Sequence, residues 1–205
     1  MWIKICGLTT AEAVSAAAAL GVDALGFVFA ASPRRLTPQA AATLAQPARG
    51  RVQCVAVTRH PTQQAVDEIL STLAPDVLQT DAADFAALRL PAQLVRLPVV
   101  RSAQAAPAPL PRRLLFEGPA SGTGSVSDWQ AAADLARRTE LVLAGGLDAG
   151  NVAAAIAAVR PFGVDVSSGV ESQPGVKSPA AISRFVMAVR AAAAAPASHP
   201  TERSS

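Results

Sequence analysis

Trp2-Ile-Lys-Ile-Cys6 opens the chain, the alanine-rich stretch Thr10–Leu20 follows, and Ala24-Leu-Gly-Phe-Val-Phe29 comes next. The first and last of these segments are short and rich in β-branched or large apolar residues, as buried strands are. The middle segment has the length of a helix and begins on threonine, a residue that often caps helix N-termini. A strand, a helix and a second strand in this order predict a βαβ unit with parallel strands.

The same alternation continues along the chain and gives eight predicted strands. These strands are Trp2–Cys6, Ala24–Phe29, Val52–Val57, Val77–Gln79, Leu94–Leu97, Arg113–Phe116, Leu141–Ala144 and Gly163–Val166. The predicted helices are Thr10–Leu20, Pro38–Leu44, Thr62–Leu73, Ala82–Leu88, Trp129–Arg137, Asn151–Val159 and Pro179–Ala194. Eight βα units favour an α/β fold, a closed (β/α)8 or TIM barrel, in a single domain. The alternative is an open doubly wound sheet, which has fewer strands and a glycine-rich fingerprint after its first strand, where Gly7 stands alone.

Two segments depart from this repeat. Ser102–Pro111, after the fifth predicted strand, contains three prolines and predicts a degenerate or missing helix. The polar stretch Ala195–Ser205 is rich in proline and serine, and we expect it to be a disordered tail. The barrel domain is therefore predicted to cover residues 1–194.

Composition limits the possible classes of protein. With 51% hydrophobic and 16% charged residues, the chain resembles soluble globular proteins. Its net charge of +3 comes from arginines that lack aromatic platforms between them, so we expect no nucleic-acid partner. No apolar run approaches the ~20 residues that span a bilayer, so we expect no membrane role. Cys6 and Cys54 fall inside predicted strands without CxxC spacing, which favours a reducing cytoplasm.

Catalytic groups in a barrel of this kind lie at the C-terminal ends of the strands and in the loops that follow them. The candidates at these positions are Cys6, Arg34, Gln79, Glu117, Gly145, Gly146, Asp165, Ser167, Ser168 and Gly169.

The first strand offers a candidate base. Because side chains alternate along a strand, Lys4 and Cys6 share one face while Ile3 and Ile5 share the other. The isoleucines suit the layer between sheet and helices, which puts Lys4 and Cys6 inside the barrel. We expect the Lys4 ammonium to favour the Cys6 thiolate and lower its pKa, giving a base usable near neutral pH. The alternative is a buried structural cysteine, which is how we interpret Cys54.

Two glycine-containing loops predict a phosphate site. Leu143-Ala-Gly-Gly-Leu147 and Asp165-Val-Ser-Ser-Gly-Val170 follow the seventh and eighth predicted strands, where such barrels commonly bind phosphate through backbone N–H groups. Either loop alone is explained equally well by a simple turn. Their occurrence at both expected strand ends favours phosphate.

Charged residues follow two further strands. Ser32-Pro-Arg-Arg35 supplies guanidinium groups that can bind a substrate carboxylate in a bidentate manner. Glu117 precedes a Gly/Ser-rich loop reaching to Ser127 that can close over a ligand. The alternative for both is a solvated loop. Asp128 is interpreted as the cap of the following helix, and neither His60 nor His199 predicts a metal site or a catalytic triad.

Taken together, these motifs resemble the phosphoribosylanthranilate isomerase family of tryptophan biosynthesis. The resemblance rests on Lys4-Ile-Cys-Gly-Leu8, on Gly26-Phe-Val-Phe29 with Ser32-Pro-Arg34, and on Asp165-Val-Ser-Ser-Gly-Val-Glu171 with Pro174-Gly-Val-Lys177. It covers the chain from Met1 to about Arg190. It implies a cofactor-free and metal-free Amadori rearrangement of N-(5'-phosphoribosyl)anthranilate to 1-(o-carboxyphenylamino)-1-deoxyribulose 5-phosphate.

The resemblance also implies roles for particular residues. Cys6 matches the general base, Glu117 occupies the position of the general acid, and Asp165 matches a carboxylate near the reacting sugar. The expected substrate-binding residues are Lys4, Arg34 for the anthranilate carboxylate, Gln79, and Gly145, Gly146, Ser167, Ser168 and Gly169 around the phosphate. The expected partner is a small phosphorylated substrate, and the chain is expected to be a monomer or a homodimer.

Three features depart from the family pattern. Glu117 replaces the usual aspartate, the loop after it looks short, and Leu78-Gln-Thr-Asp81 stands where Leu-Gln-Leu-His is common. Two other functions remain open. One is a related isomerase of histidine biosynthesis, for which an aspartate is expected at the position of Cys6, and the other is a non-catalytic sugar-phosphate-binding barrel.

Overall fold

The computed structural model describes residues 1–101, 106–118 and 128–195. Eight parallel strands form a closed barrel in chain order, and β1 pairs with β8 to complete it. The strands are β1 (Trp2–Cys6), β2 (Ala24–Val28), β3 (Gln53–Val57), β4 (Val77–Asp81), β5 (Val95–Arg101), β6 (Arg113–Glu117), β7 (Glu140–Leu143) and β8 (Gly163–Val166). A short antiparallel hairpin, β9 (Glu171–Gln173) and β10 (Val176–Lys177), follows the barrel. The predicted barrel fold is confirmed.

Six α-helices surround the barrel in the described part of the chain. They are α1 (Ala11–Ala19), α2 (Pro38–Ala45), α3 (Gln63–Leu73), α4 (Trp129–Ala136), α5 (Val152–Val159) and α6 (Pro179–Ala194), with 3-10 turns at Gln46–Ala48, Ala82–Ala86 and Ser168–Val170. Side-chain oxygens of Thr10, Thr37, Thr62 and Ser178 accept hydrogen bonds from backbone N–H groups in the first helical turns. Asp128 caps α4 in the same way, as predicted.

The helix predicted over Ala82–Leu88 is wrong, because this segment forms a 3-10 turn that ends at Ala86. The Asp84 carboxylate within it accepts hydrogen bonds from Thr80 Oγ1 at 2.6 Å and from the backbone N–H of His60 at 2.9 Å. Only a few residues separate the turn from Pro91, whose ring disfavours helix in the residue before it. A short segment tied down by its acidic side chain has no room for two helical turns.

Three strands extend further than predicted, including β6, which ends at Glu117 and not at Phe116. β4 extends past Gln79 to Asp81, and β5 runs past Leu97 to Arg101. Pro98 lacks an N–H and so removes one ladder hydrogen bond. The strand nevertheless continues, because Val99 pairs with β4 on one side and with β6 on the other.

Several predictions fall partly outside the described residues. No helix forms in 106–111, and residues 102–105 of the predicted degenerate helix are not described. The loop after Glu117, residues 119–127, lies outside the described residues, and so do residues 196–205 of the predicted tail. α6 ends at Ala194, and the domain limits stay a prediction. No helix in the described ranges has both the length and the apolar character needed to cross a membrane.

Packing fills the N-terminal end of the barrel and leaves the other end for a site. Ile3 and Ile5 lie in the apolar layer between strands and helices, as predicted, so Lys4 and Cys6 face inward. The barrel interior is filled by a second apolar cluster made of Ala24, Val55, Val77, Leu97, Val99, Leu115, Val142 and Ala144. At its N-terminal end the Arg113 guanidinium lies 4.1 Å from the centre of the Phe162 ring.

Candidate active site

A cavity of about 440 Å³ opens where the barrel strands end. The predicted residues that line it are Cys6, Arg34, Gln79, Glu117, Gly145, Gly146, Asp165, Ser167 and Ser168. Lys4 lies beneath it, paired with Asp165. A second cavity, of about 460 Å³, is lined by residues such as Val95, Pro98 and Pro107 and contains none of the predicted site residues. The first cavity is therefore the candidate active site.

Lys4, Cys6 and Asp165 form a buried group at the junction of β1 and β8. Strand register makes Lys4 and Asp165 direct partners, and the Lys4 ammonium donates to Asp165 Oδ1 at 2.9 Å. The side chain of Lys4 has no solvent exposure, and that of Asp165 is 8% exposed. Burial acts to lower the pKa of Lys4, but the attraction of Asp165 and Cys6 outweighs it and the pKa is raised. Lys4 is therefore a fixed cation.

The expectation that the pKa of Cys6 is lowered is wrong. Burial is the largest influence, and it raises the pKa of the thiol above its usual value although Lys4 and Lys177 act in the opposite direction. Asp165 explains part of the difference from the expectation, because its carboxylate neutralises Lys4 and itself disfavours the thiolate. Burial is also the largest influence on Asp165 and raises the pKa of its carboxyl group, with Lys4 opposing. In this environment the Cys6 side chain is thus held in its thiol form.

Arg34 is paired with a protein carboxylate. Its Nε and Nη2 donate to the two oxygens of Glu171 at 2.6 and 2.8 Å, and Lys177 Nζ donates to Glu171 Oε1 at 2.7 Å. Burial alone raises the pKa of Glu171, but these hydrogen bonds outweigh it and the pKa is lowered. Lys177 also donates to the carbonyl and hydroxyl oxygens of Ser167. The hairpin after β8 therefore fixes the arginine that was predicted to meet the substrate carboxylate.

Gly7 makes this arrangement possible. Its φ of +75° is a conformation that side chains disfavour, and a Cβ at this position would lie 2.5 Å from Arg34 Cδ. Any larger residue would push the Arg34 side chain out of its place across the end of β1.

A third charged group lies on the opposite side of the cavity. Arg101 Nη1 donates to Asp81 Oδ1 at 2.6 Å, and its Nη2 lies 3.0 Å from Glu117 Oε1. The side chains of all three are nearly buried, with Glu117 the most exposed at 13%. The strand ends of β4, β5 and β6 supply one residue each, so neighbouring strands bring the three together.

The two predicted phosphate loops pack against each other. Gly145 and Gly146 have φ values of +89° and +66°, and Asn151 Nδ2 donates to the Gly146 carbonyl at 2.7 Å. A Cβ at Gly169 would lie 2.0 Å from the carbonyl oxygen of Leu147. Glycine at position 169 is therefore required for the loop after β8 to lie on the loop after β7.

Gln79 carries a polar atom that lacks a protein partner. Its side chain lines the cavity, and among the described residues its Oε1 is buried without a hydrogen bond. A buried carbonyl oxygen in this state is unfavourable unless a ligand donates to it.

A family model described as N-(5'phosphoribosyl)anthranilate (PRA) isomerase matches residues 3–188. The chain belongs to this family. It is 40% identical to the N-(5'-phosphoribosyl)anthranilate isomerase of Rhizobium etli, over 93% of this chain and 94% of that protein. It is 41% identical to the same enzyme of Azorhizobium caulinodans, over 94% and 93%.

Solved structures of the PRA isomerase family share the fold. TrpF from Jonesia denitrificans superposes with a TM-score of 0.80 at 36% identity, covering 95% of this chain and 98% of that one. A phosphoribosyl anthranilate isomerase in complex with reduced 1-(o-carboxyphenylamino)-1-deoxyribulose 5-phosphate gives a TM-score of 0.75 at 27% identity, covering 93% and 99%.

Sequence reasoning missed several residues of this PRA isomerase site. Arg101 was not predicted because the fifth strand was predicted to end at Leu97, although the apolar pair Val99-Val100 after Pro98 signals continuation. Asp81 was noted as a departure but not as a cavity residue. Glu171 and Lys177 belong to the quoted motifs, but their contact with Arg34 depends on a hairpin that the sequence did not predict.

One cluster at the rim has the residue types of a metal site. His60, Asp81 and Asp84 bring their ligand atoms within 4.8 Å of one another. However, His60 Nδ1 is 2.9 Å from Asp84 Oδ1, and Asp81 is already paired with Arg101. Because the atoms are engaged with each other and a guanidinium lies beside them, the cluster is better explained as an ion-pair network.

Proposed function

We propose that this chain isomerises N-(5'-phosphoribosyl)anthranilate to 1-(o-carboxyphenylamino)-1-deoxyribulose 5-phosphate, with Cys6 as general base and Glu117 as general acid. The observation that carries the proposal is that a thiol and a carboxylate from β1 and β6 face one cavity that also holds two glycine loops. Family membership and the similarity to a solved product-analogue complex support it.

The chemistry needs one proton delivered and one removed. Glu117 protonates the ring oxygen of the furanose, the C1–O bond breaks, and the anilino nitrogen supplies the electron pair that forms the Schiff base. Cys6 first loses its thiol proton to solvent, and the resulting thiolate then removes the proton from C2. The electron pair of that C–H bond moves toward the iminium to give an enolamine. Tautomerisation of the enolamine gives the ketone. The substrate nitrogen is the electron sink, so the residues alone account for the reaction.

Burial of Cys6 is compatible with this role. A thiol with a raised pKa is a strong base once ionised, and the proton at C2 becomes acidic when the Schiff base forms next to it. Lys4 and Lys177 both favour the Cys6 thiolate before this step, against the opposing effect of Asp165.

The other residues are proposed to bind the substrate. Arg34, aligned by Glu171, binds the anthranilate carboxylate, and the unpaired Gln79 Oε1 accepts a hydrogen bond from a sugar hydroxyl. The loops at Gly145–Gly146 and Ser167–Gly169 bind the phosphate through backbone N–H groups and hydroxyls. We also propose a cytoplasmic location, where both cysteines stay reduced, and a monomer or homodimer with no nucleic-acid partner.

The test is steady-state turnover of freshly generated N-(5'-phosphoribosyl)anthranilate by the parent chain and by Cys6→Ala and Glu117→Gln. Each variant is expected to lose about 10²–10⁴-fold in kcat while keeping its thermal transition. Cys54→Ala is the matched control, because Cys54 is equally buried but does not line the cavity. Near-parental turnover by Cys6→Ala contradicts the assigned base, and absence of turnover by the folded parent chain contradicts the function.

A further inference from the structure

The proposed acid shares its guanidinium partner with a second carboxylate. Arg101 contacts Asp81 Oδ1 at 2.6 Å with one terminal nitrogen and Glu117 Oε1 at 3.0 Å with the other. Arg101 is 7% exposed and Asp81 6%. Charges this deeply buried must be compensated, so each member of the group affects the others.

Strand geometry fixes where Arg101 holds the acid. Arg101 and Glu117 are register partners at the ends of β5 and β6, and Asp81 ends the strand on the other side. A glutamate side chain has one more rotatable bond than the aspartate usual in the family, so its carboxyl group is harder to hold in one position. A planar guanidinium clamped by Asp81 supplies that constraint.

The charge of Arg101 raises a difficulty for acid catalysis, and Asp81 removes it. An arginine paired with Glu117 alone would favour the ionised carboxylate, which has no proton to give. With Asp81 also present, Glu117 can take up a proton while Arg101 stays paired with Asp81. When Glu117 releases the proton, Arg101 stabilises the carboxylate that forms.

Other charged groups near this trio come from few elements. Arg59 Nε and His60 Nε2, in the loop after β3, lie 3.9 and 3.4 Å from Asp81 Oδ2. The Asp84 carboxylate, in the turn after β4, lies within 4.8 Å of the Asp81 carboxylate. Across the cavity stand the groups formed by Lys4 with Asp165 and by Arg34 with Glu171 and Lys177. Residues 102–105 and 118–127, on either side of the trio in sequence, carry no titratable side chain.

We propose that Asp81, Arg101 and Glu117 work as one proton-donating unit, in which Arg101 is a positioning residue that aims the Glu117 carboxyl group and Asp81 balances the Arg101 charge so that Glu117 can carry a proton. The proposal rests on the role of Glu117 as the acid in the proposed function. Asp81 and Arg101 act through Glu117 and not on the substrate.

The direct test is a pH titration of carbon-13-labelled glutamate by NMR, with the Glu117 signal assigned by its absence in Glu117→Gln. Asp81→Asn removes one of the two carboxylates that Arg101 contacts, so the titration midpoint of Glu117 should move to lower pH. Arg101→Met removes the cation and leaves Asp81 nearby, so the midpoint should move to higher pH. Both shifts are expected to be about one pH unit or more. The exposed pair Arg137 and Asp134 provides the controls Arg137→Met and Asp134→Asn, which should leave the midpoint unchanged.

Kinetics test the positioning role. In the parent background, Glu117→Asp draws the carboxyl group back by about one C–C bond, roughly 1.5 Å, and should lower kcat about 10²-fold with little change in KM. Arg101→Met should itself lower kcat more than it raises KM, and Arg101→Lys should recover only part of the loss because one ammonium cannot hold two carboxylates in a planar fork. In a protein that already carries Arg101→Met, adding Glu117→Asp should lower kcat by no more than about a further threefold. The carboxyl group at position 117 is then no longer held in place, so shortening it has little more to disturb.

Several outcomes overturn the proposal. Midpoints that move in the same direction in Asp81→Asn and Arg101→Met, or do not move, refute the charge balance. Additive kcat losses for Arg101→Met and Glu117→Asp refute the positioning role. If Glu117→Gln keeps full activity, Glu117 is not the acid and the unit has no function. The NMR titration needs no turnover, so it gives its answer even if the parent chain fails to isomerise the substrate.

Discussion

Removal of the buried Lys4 ammonium tests how much its ion pair with Asp165 stabilises the protein. Lys4→Met leaves the Asp165 carboxylate, 8% exposed, without the cation that lies 2.9 Å away in the parent protein. Loss of one partner from a buried ion pair typically destabilises a protein by about 3–5 kcal/mol. For a chain of this size each kcal/mol corresponds to roughly 2–4 °C in the melting temperature, so a decrease of about 6–20 °C is expected.

The stability lost in Lys4→Met should also depend on pH in a defined direction. In Lys4→Met the larger opposition to the effect of burial on Asp165 is removed and only the weaker one from Lys177 remains. The pKa of Asp165 in the folded protein therefore lies further above the unfolded value of about 3.9. A group whose pKa is raised on folding stabilises the protein below the unfolded pKa, and this stabilisation is lost as the pH rises through the folded pKa. The difference in unfolding free energy between parent and Lys4→Met should therefore be smallest near pH 4 and reach its full size at pH 8.

The assay is thermal and urea unfolding of the parent, Lys4→Met, Lys4→Met/Asp165→Asn and the surface control Arg137→Met at both pH values. The double variant should regain part of the lost stability, because a neutral amide replaces the uncompensated carboxylate. The reasoning is refuted if Lys4→Met loses no more unfolding free energy than Arg137→Met does. It is also refuted if the loss in Lys4→Met is the same at pH 4 and at pH 8.

Three further predictions concern other parts of the cavity and one buried thiol. Arg34→Ala should weaken binding of a product analogue that carries the anthranilate carboxylate about 10–100-fold, because a charge-assisted bidentate contact is lost. Its effect on the binding of ribose 5-phosphate should be smaller. Equal losses of affinity for the two ligands in calorimetric titrations would contradict this role. Gly169→Ala should weaken inorganic phosphate binding at least about tenfold, since its Cβ would lie 2.0 Å from the Leu147 carbonyl oxygen; unchanged phosphate affinity would show that the two loops do not form the phosphate site. Burial raises the pKa of Cys54 to about 12, so at pH 8 only a fraction on the order of 10⁻⁴ of this thiol is ionised. Cys54 should therefore resist alkylation by iodoacetamide in the folded protein. If mass spectrometry finds that it is labelled as fast as in urea, this description of its environment is contradicted.

Local patterns predicted those parts of the fold that local interactions determine. β1, β8 and α6 begin and end where the sequence predicts. The two strands alternate between apolar and other residues, and α6 places its buried apolar residues at helical spacing. The inward direction of Lys4 and Cys6 also followed from alternation alone. Prediction failed where a single residue overrides the pattern, as at Pro98, which interrupts the hydrogen bonding of a strand without ending it.

The candidate site was predictable in its residues but not in its charges. Strand ends could be located from the sequence, and nine of the predicted residues line one cavity. The direction of the Cys6 pKa could not be predicted, because burial is a property of the folded barrel and Asp165 is distant in sequence. The partners of Arg34 and Arg101 were missed for the same reason, since each pair is made by strands or loops that meet only on folding.

The distribution of these charges divides the cavity into two sides. Arg34 and Lys177 share the single carboxylate of Glu171, so that side keeps an excess of positive charge beside Ser167. On the opposite side Arg101 is shared by Asp81 and Glu117, and Arg59 and Asp84 lie beside Asp81. In the proposed mechanism this side becomes more negative when Glu117 gives up its proton. A substrate with a phosphate and a carboxylate is therefore drawn toward the first side. If Glu117 is the acid as proposed, the positive charge that develops on the substrate nitrogen during ring opening forms opposite a wall that has just become more negative. This electrostatic change would stabilise the ring-opened state more than the bound substrate.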